Sequence, residues 1–236
     1  MPAMLHYSHP ASARRLPSDN LTWVDDPLAN GRALNWHDSA QGYAVGMYQS
    51  PGTQRVIENF PWVELGIVES GTLILQGEGF RIGLHPGDCF VIPRGITLDW
   101  HQPGELRYLC MVFPGLSRTA PMPRLPLKID PCLALQPCDP PAVEVLLSPT
   151  PQAWSQTLFS VANLRIGLWE CEAYERKTVE PGYCELMHVL KGAITLSPEG
   201  AAPCTIKAGE TVVVPVGASN AWTSTETVRK IFCILS

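Results

Sequence analysis

Glu185 and His188 stand at the spacing that lets a helix bring a carboxylate and an imidazole onto one metal ion. On a strand the same spacing sends the two side chains to opposite faces, and they cannot converge. The chemistry open to Glu185 therefore depends on the element that carries it. A carboxylate beside an aromatic wall has another use: it holds a small organic or amine-bearing molecule through apolar contact and one ion pair. Glu64 with Tyr48 and Trp100, and Glu185 with Trp169 and Trp222, offer the residue types for two such sites. Nucleophilic catalysis has no comparable signal. The chain contains no G-x-S-x-G elbow, no G-x-x-x-x-G-K phosphate loop and no dinucleotide fingerprint. None of its eight cysteines forms a C-x-x-C pair.

The elements around these residues are short strands. Apolar and β-branched runs at Val63–Val68, Thr72–Gln76, Phe80–Leu84, Cys89–Ile92 and Leu106–Phe113 are cut by turn signals. A second set follows at Leu164–Cys171, Cys184–Leu190, Ile194–Leu196, Thr211–Val214 and Val228–Leu235. The two sets are copies. Without a gap, Gly46, Tyr48, Arg55, Glu64 and Gly71 fall on Gly167, Trp169, Arg176, Glu185 and Gly192. After one extra residue in the second copy, Gly87, Pro93, Gly95, Trp100 and Arg107 fall on Gly209, Pro215, Gly217, Trp222 and Arg229. Many short strands with regular turns predict an all-β sandwich or barrel, made twice. The expected division is an N-terminal arm at 1–40, a first module at 41–113, a proline-rich connector at 114–155 and a second module at 156–236. Proline keeps the connector out of central strands, leaving an extended segment with a short helical piece near Ala142–Leu147.

Composition removes several function classes. With 22 acidic and 17 basic residues the net charge is −5, which supplies no footprint for nucleic acid or an acidic membrane. No apolar run is long enough for a membrane helix, and Met1–Asn20 has no apolar signal core. A cytoplasmic protein with reduced, mostly core-filling cysteines is the expectation.

Glu64-x6-Gly71 with Gly87-x5-Pro93-x-Gly95, repeated as Glu185-x6-Gly192 with Gly209-x5-Pro215-x-Gly217, resembles the two signature motifs of the cupins. Gly167-Leu168-Trp169-Glu170-Cys171, Val189-Leu190-Lys191-Gly192, Trp222 and Val228-Arg229-Lys230 are similar to the cupin subfamily of (S)-ureidoglycine aminohydrolase. The resemblance implies two tandem jelly-roll barrels. It also implies where a metal would bind: an H-x-H pair, a Glu and a third His. In the first copy those positions read Ile57, Asn59, Glu64 and Leu98, and in the second Thr178, Glu180, Glu185 and Asn220. Imidazole-dependent metals are therefore not expected, and no cofactor is. The alternative is a hard cation, Mn, Mg or Ca, on Glu180, Glu185 and Asn220. Trp100 and Trp222 are in phase with Leu98 and Asn220, so they point inward, as Tyr48 and Trp169 do by their match.

The candidate ligand-binding residues are thus Trp169, Glu180, Glu185, Asn220, Trp222 and Arg229 in the second barrel, and Tyr48, Glu64 and Trp100 in the first. Arg229 is the expected partner of Glu185. The second barrel is favoured as the pocket, because Glu180, Asn220 and Ser224 bring polar groups to it. The first expected function is metal-independent binding of a small molecule, as a sensor or accessory protein in amine or ureide metabolism. The alternative is a hydrolase or isomerase with Glu185 as its catalytic group, with or without a hard cation. A third is an assembly module, with homodimerisation left open.

Overall fold

A computed structural model of the protein describes residues 3–8 and 25–236. The described residues are almost wholly strand and turn, with one 3₁₀ turn at Val143–Val145. They divide into two compact units, one of residues 25–129 and one of residues 3–8 with 130–236. Each unit is a pair of antiparallel sheets.

In the first unit the larger sheet runs in the order Leu127–Ile129, Cys89–Ile92, Val63–Ser70, Leu106–Phe113, Tyr43–Ser50 and Arg32–Asp38. The smaller runs Thr53–Ile57, Leu98–Gln102, Leu73–Gly77 and Phe80–Leu84. In the second unit the larger sheet runs Leu5–Tyr7, Thr211–Val214, Cys184–Lys191, Val228–Leu235, Leu164–Cys171, Ala153–Val161 and Gln136–Cys138. Its smaller sheet runs Glu175–Val179, Asn220–Thr223, Ala193–Pro198 and Cys204–Lys207. The shared order of the inner strands makes each unit a jelly-roll barrel, the fold the cupin resemblance implies.

The reason these segments are strands lies in their alternation. Leu98–Gln102 buries Leu98, Trp100 and Gln102 while Asp99 and His101 are partly exposed, as one face of a half-buried sheet requires. Asn220–Thr223 repeats the pattern with Asn220 and Trp222 buried. Gly71 and Gly192 take left-handed turns at φ 86° and 78°, a conformation that costs glycine little. At Gly192 an added Cβ would also lie 2.6 Å from the Thr227 carbonyl. No helix among the described residues is long and apolar enough to cross a membrane.

The expected edges of the modules need correction. The segment taken as an arm supplies Leu5–Tyr7 to the second unit and Arg32–Asp38 to the first. The segment taken as a connector supplies Leu127–Ile129 to the first, and Gln136–Cys138 and the start of Ala153–Val161 to the second. Short polar edge strands such as Arg32–Asp38 carry too few apolar residues to announce themselves. Within the repeat, pairing also shifts the register once. Arg55 and Arg176 face Trp100 and Trp222, but a bulge after Arg176 makes Val179 the partner of Asn220, where Ile57 is the partner of Leu98. Val179, not Thr178, therefore stands in the place of Ile57.

Candidate functional site

In the second barrel the strands Cys184–Lys191, Val228–Leu235, Leu164–Cys171 and Ala153–Val161 turn alternate side chains inward. They and the smaller sheet enclose a cavity of about 360 Å³. Trp169 and Lys230 are direct cross-strand neighbours, so they share the inner face. The Lys230 ammonium donates to Glu185 Oε1 at 2.8 Å and to Met187 Sδ at 2.9 Å. It also lies over the rings of Trp169 and Trp222, at 4.8 and 5.2 Å from their centroids. A lysine so placed is held by one charge-assisted bond and two aromatic faces. Tyr174 stacks on Trp222 at 5.3 Å and 13°, and Trp169 meets Trp222 edge to face. The result is an aromatic wall with one ion pair set into it.

At another part of the lining, Arg176 donates to the Asn220 backbone oxygen at 2.8 Å and to its Oδ1 at 3.0 Å. The Asn220 amide nitrogen donates to the Ala218 carbonyl. Tyr183 is also in the lining, and the Glu185 charge, with burial, raises its hydroxyl pKa while Arg176 and Arg165 oppose the rise. Burial likewise pushes the Tyr174 hydroxyl up.

The matching interior of the first barrel is full. Glu64 has no exposure and receives a two-pronged contact from Arg32, Nη2 to Oε2 at 2.7 Å and Nη1 to Oε1 at 3.1 Å. The Tyr108 hydroxyl donates to Glu64 Oε1 at 2.7 Å, and the Trp62 indole to Oε2 at 3.3 Å. Arg32 Nε reaches Asp26 at 2.9 Å. Burial is the largest influence and works against the Arg32 charge, but Glu64, followed by Cys110, Tyr108 and Asp26, together outweigh it and hold the guanidinium pKa well above its ordinary value. Burial first, then the Glu64 charge, drives the Tyr108 hydroxyl well above its usual range. Tyr48 and Trp100 both donate to Gln102 Oε1, at 3.0 and 2.9 Å. These are satisfied core groups.

One of the strand positions that differ between the two interiors governs a large volume. Arg32 is the cross-strand neighbour of Tyr48, and Ser155 is the cross-strand neighbour of Trp169. Since Tyr48 and Trp169 correspond, Ser155 stands where Arg32 stands in the other copy. The short hydroxyl, bonded to the Leu168 carbonyl, leaves the space that a guanidinium fills in the first barrel.

Of the residues singled out in the sequence, the structure brings Trp169, Glu185, Asn220 and Trp222 together around the cavity. Tyr48, Glu64 and Trp100 point inward, but into packed core. Two expectations are corrected. Arg229 does not meet Glu185. It alternates with Lys230 and faces outward, bonding Glu170 at 3.1 Å and the Pro131 carbonyl at 2.8 Å. Glu180 is exposed and is not part of the cavity lining. Ser224 is buried behind the wall, accepting from the Trp222 indole and the Tyr174 amide. His188 bonds Thr211 at 2.9 Å and shares no site with Glu185, as strand geometry requires.

The chemistry of the donors also tests for a metal. In the first barrel Ile57 and Leu98 offer no ligand atom, and Glu64 is taken by Arg32 and Tyr108. In the second, Asn220 Oδ1 is taken by Arg176, and a lysine ammonium already lies against Glu185. Among the described residues no group of three or more His, Cys, Asp and Glu is placed to hold a metal ion. The residues present do not fit a metal of the kind cupins hold, nor a hard cation on Glu180, Glu185 and Asn220.

Comparison with known proteins agrees with this architecture. A EutQ-like cupin domain model matches residues 162–232. The chain has two tandem barrels of the cupin fold. A Pseudomonas syringae pv. tomato protein of unknown function, from the DUF861 family, is similar along 99% of this chain and 100% of its own, with 29% identity and a TM-score of 0.88. A cupin 2 conserved barrel domain protein from Leptotrichia buccalis is 14% identical over 87% of each chain, with a TM-score of 0.59. Protein Ylba from E. coli, also of the DUF861 family, is 10% identical over 83% of this chain and 77% of its own, with a TM-score of 0.52. The last two share the fold alone. Among curated proteins none matches the chain.

Lys230, Arg165, Arg176, Ser155, Tyr174 and Tyr183 are among the cavity residues that sequence reasoning missed. Lys230 was within reach, since it matches Tyr108 in the repeat and must share the phase of Phe232 and Ile234.

Proposed function

We propose that this bicupin binds a small organic molecule inside its second barrel, without a histidine-held metal, in a sensing or accessory role in small-molecule metabolism. The observation that carries the proposal is the cavity of about 360 Å³ with the Glu185–Lys230 pair set among Trp169, Tyr174 and Trp222. Its size falls in the range of small-ligand sites, and its lining combines apolar surface with a few fixed polar groups, as such sites do. A barrel interior needed only for stability would be filled, as the first one is.

Fragment-sized aromatic compounds should raise the melting temperature of protein dialysed against a chelator, and should do so in proportion to the logarithm of their concentration. Ser155→Arg, which copies the filled interior, should abolish the stabilisation. Stabilisation that survives Ser155→Arg would place the ligand elsewhere and defeat the proposal.

A further inference from the structure

The cavity of the second barrel also carries a charge pattern from which its ligand class follows, granted that the cavity is a binding site. The whole chain is acidic, with 22 Asp and Glu against 17 Lys and Arg. The cavity lining reverses this, with Arg165, Arg176 and Lys230 against Asp139 and Glu185. Glu185 is the carboxylate that an amine ligand would need, but Lys230 has already neutralised it at 2.8 Å. A second cation there would face the Lys230 ammonium directly.

The two arginines are differently placed. Arg176 is partly buried, and its recorded bonds run to neutral oxygens, the Lys177 and Asn220 carbonyls and Asn220 Oδ1. That leaves its Nε–H and one Nη2 hydrogen as donors. Arg165 is exposed and makes no side-chain hydrogen bond or ion pair among the described residues. Both line the same cavity as Tyr183 and Glu185, and both guanidinium charges act on the Tyr183 hydroxyl. The Asp139 charge acts on Cys138 instead.

We propose that the second barrel recognises a small organic carboxylate, with its charged end at Arg176 and Arg165 beside Tyr183 and its apolar body against Trp169, Tyr174 and Trp222. A guanidinium whose partners are neutral binds a carboxylate by charge-assisted hydrogen bonds without first breaking an ion pair. The surrounding wall suits an aromatic or similarly flat body better than a bare acid.

Isothermal titration of the full chain with benzoate, acetate, benzamide and benzylamine separates the possibilities. Benzoate should bind, acetate should bind more weakly, and the neutral and cationic analogues should be weaker than benzoate by roughly tenfold or more. Arg176→Gln should weaken benzoate by roughly tenfold or more. Arg165→Gln, at an exposed position where folding is not at stake, should weaken it by a smaller factor. Benzamide or benzylamine binding as tightly as benzoate would overturn the carboxylate assignment while leaving the cavity as the binding site. Benzoate binding unchanged in both arginine variants would overturn the assignment too. No binding by any of the four would overturn both it and the proposed function.

Discussion

The two barrels descend from one sequence pattern and have opposite interiors. In the first, Glu64 is enclosed by Arg32, Tyr108 and Trp62, and the barrel packs Tyr48, Trp100 and Phe90 with no exposure. In the second, Glu185 meets Lys230 alone among charged partners in the described residues, and Ser155 and Tyr183 take the places of Arg32 and Trp62. The inner strands follow the same order in both, so the difference comes from the side chains they carry and from the segment 139–141, which lines the second cavity. A long cation in one interior and a short hydroxyl in the other is the exchange that goes with the change from core to pocket, beside Tyr108 against Lys230 and Leu98 against Asn220. The glutamate shared by both copies is a core residue in one and a cavity residue in the other, so its presence in the motif does not by itself mark a site.

The largest expected contrast is between the two glutamates. Glu64→Ala leaves Arg32 buried without its main partner and should cost about 3–5 kcal/mol, as removal of one member of a buried pair does. Glu185→Ala, at a cavity that water enters, should cost less than half of that. Urea unfolding of the two variants measures the difference, and equal losses would contradict it.

Arg32→Ser comes next, with a loss of about 3 kcal/mol from the stranded Glu64 and Asp26 carboxylates. The same substitution should open the first barrel. Cys110 is a direct reporter there, since burial above all pushes its thiol up to about 12 while the Arg32 charge opposes the rise. Alkylation followed by mass spectrometry should find Cys110 protected in the parent protein and labelled in Arg32→Ser. Continued protection would mean the interior had collapsed instead of opening.

Lys230→Met keeps the apolar stem against Trp169 and Trp222 but leaves Glu185 without its cation. A loss of about 1–2 kcal/mol is expected, with a rise in affinity for benzylamine relative to benzoate. If the preference between those two ligands does not move, Lys230 is not what neutralises the cavity carboxylate. The smallest expected effect is that of metal removal. Dialysis against a chelator should leave the melting temperature unchanged, and a fall restored by Mn, Mg or Ca would show a cation that the donors described here do not explain.

Much of this was legible in the sequence. The repeat gave both barrels, because Gly71, Gly192 and the Pro-x-Gly turns constrain the backbone wherever the fold recurs. Trp100 and Trp222 could be turned inward by strand alternation alone. The partner of Glu185 could not be read from the match of Arg107 with Arg229, because matched charges on an outer face are conserved by the repeat just as inner residues are. Alternation from Trp169 across to Lys230 was the missing step. Arg32 and Ser155 were harder still, since one lies on an edge strand and the other on the strand next to an edge, both outside the matched segments, and a one-residue bulge after Arg176 moved Val179 into register unannounced.

The central claim, that the second barrel is the site and the first is core, is tested most directly by a crystal structure of the protein soaked with a bromobenzoate. An anomalous bromine peak inside the second barrel, against Trp169 and Trp222 with the carboxylate toward Arg176, is the predicted result. A peak inside the first barrel, a peak on the surface only, or an empty second barrel would contradict it.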